Sequence, residues 1–379
     1  MRVMMAERAY PLGVGVLSVA LTRSEHYSLD ELLTVAQRRN PKRPFLFVSK
    51  VLGRHIPVRP QTHRQMLERL AALIPDRLPS PLLVIGMAET AVGLGAGIHQ
   101  QLQQRYPSAA YISSTRHPVV DGELFCEFRE EHSHATKHLI HVPNIADGRR
   151  QLQATRTLVL VDDEATTGQT FANLVAALRA AGLPDLEQVV LVTMTDWSAD
   201  GAHHLTTQRL PAAIRCLSLS LSQGQWSWQQ ADSAPVVEMP QVDISSAGSV
   251  AILPQRRSCR SGYIDACEPL SMPAVTAGER ILVLGSGEFV WQPFLLAEAL
   301  EQQGGDVHFS ATTRSPIAIG AGISQALAFS DNYGLGIPMF AYNLVAEHYD
   351  RVILCSETAA SSWDSRLIRA LPPLEVVTV

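Results

Sequence analysis

Residues 158–170 read LVLVDDEATTGQT. Four apolar residues run into three acids, and the acids run into a turn of threonines around one glycine. A short continuous apolar run reads as a buried strand. Asp162, Asp163 and Glu164 at its end are costly to bury without partners. Either the strand ends in solvent, with a threonine capping the next helix, or the cluster grips a polyhydroxylated or metal-bound ligand. The following residues favour a ligand. Gly168 lets backbone approach it closely, and Thr166, Thr167 and Thr170 supply hydroxyl donors around Gln169. FANLVAALRAAG, residues 171–182, continues as a helix whose amino end favours a phosphate. Adjacent carboxylates accept strongly from sugar hydroxyls. Asp162 and Asp163 also suit magnesium, which binds through few protein ligands and keeps its water.

The surroundings give this motif a fold. LLVIG (82–86), AAYISS (109–114), TLVLV (157–161) and VVLVTM (189–194) are short apolar runs separated by amphipathic or polar stretches. That alternation predicts an open α/β fold with a parallel sheet covered on both faces. Such sheets bind ligands at the carboxyl ends of their strands. The acidic cluster starts where TLVLV ends. AYPLGVGVLSVAL, residues 9–21, resembles a leader peptide, but Glu7, Pro11, Gly13 and Gly15 fit that poorly; a buried strand is expected instead.

A chain of 379 residues exceeds one typical core, so two domains are expected. With 46% hydrophobic and 18% charged residues it is not a disordered chain. A net charge of -5 supplies no global attraction for nucleic acid or an anionic membrane, and no run is long enough to span a bilayer. Five widely spaced cysteines, Cys126, Cys216, Cys259, Cys267 and Cys355, fit reduced structural thiols and a cytoplasmic protein better than a disulfide framework.

Between about Gln229 and Ala277 the alternation fades into Pro-, Ser- and Gly-rich sequence, read as a linker. Arg256, Arg257 and Arg260 within it form either a phosphate patch or a solvated loop. The first pattern then returns. LLVIGMAET (82–90) matches ILVLGSGEF (281–289), pairing Gly86 with Gly285 and Glu89 with Glu288. YISSTRHPV (111–119) matches HFSATTRSPI (308–317), pairing Thr115-Arg116 with Thr313-Arg314. The Glu-to-Arg spacing is 27 residues in the first half and 26 in the second, which indicates internal duplication. RTLVLVDDE (156–164) aligns loosely with DRVILCSET (350–358), and in a register one residue off the end-to-end match Cys355-Ser356 takes the place of Asp162-Asp163. On that reading the second half keeps the scaffold and loses the acidic pair.

Leu158 to Thr170 resembles, without a gap, the phosphoribosyl pyrophosphate (PRPP) signature of type I phosphoribosyltransferases: four apolar residues, two acids, a short step and Thr-Gly-x-Thr. Most of the chain from about Leu29 onward, the linker least of all, resembles the orotate-phosphoribosyltransferase-like proteins of bacterial tellurium-resistance and stress-response gene clusters. Those carry a C-terminal domain named TRSP after the motif found here at Thr313–Pro316. FLFVSKVLGRHIPV (45–58) and FSDNYGLGIPMFAYN (329–343) also look like stretches of these modules.

The resemblance implies an open parallel-sheet phosphoribosyltransferase fold followed by a smaller, related α/β domain. The expected boundaries are 1–228 for the transferase domain, 229–275 for the linker and 276–379 for the TRSP domain. It implies PRPP as co-substrate with Mg2+. GMAETAVGLG (86–95) would be the pyrophosphate loop, with Ala88, Glu89 and Thr90 against the leaving group and Arg116 as a second donor. The bland alternatives are a helix-start acid for Glu89 and a surface ion pair for Arg116. PRPP would further contact Asp162, Asp163, Thr166, Thr167, Gly168, Gln169 and Thr170, with metal contacts from Asp162 and Asp163.

A closing loop is expected within 125–141. Family members that place an Asp in the phosphate loop use it as a proton acceptor; Ala165-Thr166 stands there in this chain. Glu131, His132 and His134 are the candidates to replace it, besides the acidic pair. In the second half Glu288, Thr313, Arg314, Ser315, Asn332 and Tyr333 are candidates for a second ligand, or serve only packing. The acceptor would be a nitrogenous base, and type I relatives are often dimers. The rival functions are a PRPP- or nucleotide-sensing regulator without catalysis, and a sugar-phosphate hydrolase.

Overall fold

The computed structural model describes residues 7–38, 40, 43–117, 119, 122–129, 137–198, 201–232, 270–371 and 373–378. The chain opens with two antiparallel strands, β1 (Arg8–Leu12) and β2 (Gly15–Ser24). A one-turn helix α1 (Leu29–Leu32), closed by a Ser28–Glu31 capping box, leads into the hairpin β3 (Leu33–Gln37) and β4 (Phe45–Ser49). Then follow α2 (Pro60–Ala72), β5 (Leu82–Gly86), α3 (Val92–Leu102) and β6 (Ala110–Ser113). A second hairpin, β7 (Leu124–Arg129) and β8 (Lys137–His141), precedes α4 (Gly148–Gln153) and β9 (Thr157–Ala165). The first half closes with α5 (Gln169–Gly182), β10 (Gln188–Asp196), α6 (Gly201–Arg209) and β11 (Arg215–Gln230).

These strands form one seven-stranded sheet in the order β1-β2-β11-β10-β9-β5-β6. From β11 to β6 every pairing is parallel, whereas β2 joins β11 antiparallel. The apolar strands β5 and β9 are buried on both faces until the acids begin. The N-terminal run differs from expectation. It is a hairpin at the sheet's edge, and β2 alternates buried with more accessible residues because one face looks outward.

The second half contains β12 (Arg280–Gly285), α7 (Trp291–Gln302), β13 (Asp306–Ala311), the hairpin β14 (Ala326–Ser330) and β15 (Pro338–Tyr342), β16 (Arg351–Ser356), α8 (Ser365–Ala370) and β17 (Leu374–Thr378). Its four-stranded parallel sheet runs β13-β12-β16-β17, matching β6-β5-β9-β10 strand for strand. The duplication extends to single hydrogen bonds. Ser114 N–H donates to Gly86 O, and Thr312 N–H to Gly285 O, both at 3.0 Å. Ala88 N–H donates to Ser114 Oγ at 2.8 Å, and Gly287 N–H to Thr312 Oγ1 at 2.9 Å. Thr115 bridges Leu139 of β8, as Thr313 bridges Phe340 of β15.

The register corrects one alignment. Ile85 lies opposite Leu160, and Leu284 opposite Leu354. Leu354 is therefore the counterpart of Leu160, so Ser356-Glu357, not Cys355-Ser356, occupies the place of Asp162-Asp163. The second half has lost the acidic pair and kept one acid. The described cysteines, Cys126, Cys216 and Cys355, are free thiols. Cys259, Cys267 and the arginines of the linker lie outside the described residues.

The two halves share a core. One buried cluster runs from Leu158, Val159 and Leu160 through Leu67, Leu94 and Ile98 into Ile281, Val283 and Phe294. Helices α2 and α7 are clamped across this junction by Arg64, whose Nε and Nη2 donate to the Glu298 carboxylate at 2.7 and 2.8 Å. Helix α3 lies tight against β5. A Cβ on Gly95 would come within 2.7 Å of Gly86 Cα and 2.8 Å of the Tyr111 ring. Gly95→Ala is expected to lower unfolding stability by about 1–3 kcal/mol, the usual cost of overpacking. Denaturant unfolding that matches wild type would refute this account of the α3–β5 contact.

Candidate active site

The acids sit where β9 outruns its neighbour β5. The β5–β9 pairing ends at Gly86 and Val161, while β9 continues beside β10 through Asp162 and Glu164. Beyond it, Gly168 adopts a left-handed φ of 74° and opens the 14-residue helix α5. Asp162 Oδ1 accepts from the Asp163 N–H at 3.0 Å, and Thr167 Oγ1 from the Gln169 N–H at 3.3 Å. The predicted turn, acid pair and helix start are therefore contiguous in space.

Glu164 is already occupied. Arg43, at the mouth of the β3–β4 hairpin, grips it with both Nη atoms at 2.8 and 3.0 Å and stacks over the Phe45 and Phe47 rings. This bidentate pair accounts for Glu164, and Asp162 and Asp163 line the cleft beside it. Asp163 is only partly accessible. Its loss of water, and then the neighbouring Glu164 charge, push its carboxyl up to about 6.

Across the cleft, Ala88 N–H is fixed by Ser114 Oγ, which also contacts His138 Nδ1 at 3.1 Å. His138 in turn stacks on Phe128. Glu89 is no simple helix-start acid. The buried Arg54 donates to Glu89 Oε1 at 3.2 Å and to the Glu89 carbonyl at 2.6 Å. Arg54 Nη1 also donates to Gly287 O at 2.6 Å and Thr312 O at 2.7 Å of the second half. Burial lowers the Arg54 pKa, and the charges of Glu89, Asp163 and Glu288 oppose that shift. Glu288 reaches back the other way. Its carboxylate accepts from Thr115 Oγ1 at 2.6 Å and from the Arg116 N–H at 2.8 Å. The loop carrying Arg116 is thus held by a carboxylate from the duplicated half, and Arg116 Nη2 approaches Ala88 O at 3.5 Å.

One cleft of about 600 Å³ collects these parts. Its lining includes Ala88, Glu89, Thr90, Arg116, Asp162, Asp163 and Thr166 to Thr170, all expected from sequence. Thr313, Arg314 and Ser315 line the same cleft, so the two halves share it. Glu288 is buried at the junction instead. Asn332 and Tyr333 are buried within the second half, where Asn332 Nδ2 donates to Thr358 Oγ1 and the Tyr333 hydroxyl to Glu357. Glu131, His132 and His134 lie outside the described residues. Sequence reasoning missed Arg43, Arg54, His138, Phe47 and Trp226. The stretch 45–58 was marked as similar to its module, yet nothing in it signalled that Arg54 meets residues more than 230 positions away.

A family model described as phosphoribosyl transferase matches residues 32–225, and one for the TRSP domain C-terminal to that transferase matches residues 263–371. The chain belongs to the phosphoribosyl transferase family. No curated protein matches it. Solved structures similar to the transferase include adenine phosphoribosyltransferase from Rhodothermus marinus, at 15% identity and a TM-score of 0.32, covering 51% of this chain and 94% of that one. Orotate phosphoribosyltransferase from Aeropyrum pernix, at 20% identity and a TM-score of 0.28, covers 47% and 79%. The Giardia lamblia adenine enzyme, complexed with 9-deazaadenine, is 15% identical with a TM-score of 0.35 and covers 49% and 93%.

In this transferase, removing Arg54 strands the Glu89 carboxylate and two carbonyls. Arg54→Met is expected to cost about 3–5 kcal/mol of unfolding stability, the range for breaking a buried ion pair. Adding Glu89→Leu should recover part of that loss. Equal destabilisation in the single and double variants, read by denaturant unfolding, would show that the ion pair is not the reason.

Proposed function

We propose that the protein transfers ribose 5-phosphate from PRPP to a ring nitrogen of a base or related small molecule, releasing pyrophosphate. One observation carries this reading. The acid pair, the threonine turn at the start of α5, and the Ala88–Thr90 loop with Arg116 converge on a single cleft. In this reading residues 1–228 are the transferase domain, 229–275 the linker and 276–379 the TRSP domain.

The threonine turn and the amino end of α5 would hold the 5-phosphate. Asp162 and Asp163 would accept from the ribose hydroxyls and stabilise positive charge at C1. The bond from C1 to the acceptor nitrogen forms as the C1–O bond to pyrophosphate breaks, through an oxocarbenium-like transition state. The Ala88–Thr90 loop and Arg116 would receive the charge that builds on the leaving group. The acceptor nitrogen's proton needs a base, and Glu131, His132 and His134 remain the candidates for that role.

Among the described residues no three His, Cys, Asp or Glu side chains are grouped to hold a metal. Two adjacent carboxylates instead fit a magnesium ion that arrives on pyrophosphate and keeps water ligands. Bound there, magnesium would neutralise charge on the departing pyrophosphate.

Asp163→Asn should abolish PRPP-dependent pyrophosphate release across a panel of bases while leaving the circular dichroism spectrum unchanged. Wild-type activity in that variant would remove the assignment. PRPP bound by the wild type without any pyrophosphate release would favour a sensor. Ribose 5-phosphate produced without an acceptor would favour a hydrolase.

Asp163 also sets a pH dependence. Its folded carboxyl ionises near pH 6 rather than about 4. Affinity for Mg2+–PRPP should therefore fall as pH drops through about 6, and Asp163→Asn should flatten that profile. The folded protein holds an extra proton between those two values, so stability of the ligand-free chain rises as pH falls across them. At pH 7 the ionised, desolvated carboxylate is a liability. Ligand-free Asp163→Asn should be the more stable protein there, as measured by thermal unfolding.

A further inference from the structure

The lining of the cleft includes residues that the phosphate and pyrophosphate elements do not use. Among them are Leu46 and Phe47 of β4, Trp226 of β11, and Thr313–Pro316 from the second half. Trp226 keeps 37% of its surface accessible and sets its ring against Phe45 at 4.9 Å, edge to face. Phe47 is stacked on Trp197 at 4.3 Å. Aromatic walls of this kind suit a flat ring.

The TRSP loop is rigidly built there. Thr313 and Phe340 exchange backbone hydrogen bonds at 2.8 and 2.7 Å. The Tyr342 hydroxyl donates to Ser315 O at 2.7 Å and accepts from the Ile317 N–H at 2.8 Å. Ala318 N–H donates to Gln37 O of β3 at 2.9 Å, which ties the loop to the hairpin that carries Phe47. The second half has lost its own acid pair, yet it keeps this loop pointed at the first half's cleft.

Arg314 is the charge the loop delivers. The other arginines that join distant parts of the chain here are matched to acids: Arg43 to Glu164, Arg54 to Glu89, Arg64 to Glu298. Arg314 instead donates to the ring of His117, and no carboxylate lies within ion-pair distance of it among the described residues. A half-buried guanidinium without an acid is an anion site awaiting its partner.

We propose that the Thr313–Pro316 loop completes the acceptor subsite, and that Arg314 binds an anionic substituent on a planar nitrogen heterocycle seated against Phe47 and Trp226. This rests on the transferase reading above. The acceptor class is thereby narrowed from any base to heterocycles bearing a carboxylate or a phosphate-like oxyanion. Arg314 determines specificity and takes no part in breaking the C1–O bond.

The test uses the full-length protein and matched probes. Each of several rings, a pyrimidine, a purine and an imidazole, is offered as its carboxylate, its phosphonate and its uncharged carboxamide. Binding is measured calorimetrically to protein saturated with magnesium and ribose 5-phosphate, which cannot react. At least one ring should bind as an anion about 10- to 100-fold more tightly than as its carboxamide, the range for a charge-assisted hydrogen bond. The carboxylate and phosphonate arms show which oxyanion is preferred. Arg314→Gln should erase the preference, and Arg314→Lys should retain part of it by charge alone. Both variants should bind Mg2+–PRPP within about twofold of wild type.

An anion preference that survives Arg314→Gln would overturn the proposal. So would equal binding of anionic and neutral probes, or an Arg314→Gln defect confined to PRPP, which would assign the residue to pyrophosphate. Absence of Mg2+–PRPP binding in the wild type would instead overturn the transferase reading itself, and the subsite with it.

Discussion

The molecule turns on one buried guanidinium. Arg54 is 3% accessible, and its cost of burial is offset only by acceptors drawn from two places at once. Glu89 and its carbonyl come from the loop after β5. The carbonyls of Gly287 and Thr312 come from the duplicated half. Neither half alone satisfies it. Glu288 makes the reciprocal demand, with its carboxylate satisfied by Thr115 and the Arg116 N–H. Two crossing polar groups thereby fix the orientation of the halves more specifically than their shared apolar core does. Apolar burial is non-directional, whereas these hydrogen bonds have partners and angles. The loops they fix are the ones that line the cleft.

The central strand and its turn were legible because their chemistry is local. Leu158 to Thr170 carries its own apolar run, acids, glycine and helix start within 13 residues. The duplication was legible because Gly86/Gly285, Glu89/Glu288 and Arg116/Arg314 mark register at turns. The third register slipped by one residue for a physical reason. TLVLV is buried throughout and RVILCS from Val352 on, so neither shows the alternation that pins a strand to a face. The pairing with β5 and β12 fixes Leu354 as the counterpart of Leu160, as the end-to-end match of the two stretches also does. Arg43 and Arg54 were not legible, because their partners lie 35 to 258 positions away and an arginine in a loop looks the same whether it meets solvent or a carboxylate.

The first half keeps its cleft polar at some expense. Asp162 and Asp163 are adjacent acids beside a third, and Arg43 pairs with Glu164 while offsetting only part of the burden on Asp163. The remaining strain is visible in the raised Asp163 carboxyl. An acid in this position lowers the stability of the fold, a cost that proteins commonly carry at sites of function.

The second half shows what such removal looks like. Ser356 stands for Asp162 and Glu357 for Asp163. Glu357 is buried and accepts from the Tyr333 hydroxyl, while Thr358 accepts from Asn332. Asp331 is spent on the N–H groups of Tyr333, Leu335 and Ile337, which hold the β14–β15 turn in place. The acid that the second half keeps, Glu357, is thus tied to a side chain of its own half. What the second half still presents outward is the Thr313–Pro316 loop, and that loop borders the cleft its partner half kept open. Duplication has therefore divided the labour within one chain. One copy keeps the carboxylates, and the other contributes part of the first copy's walls.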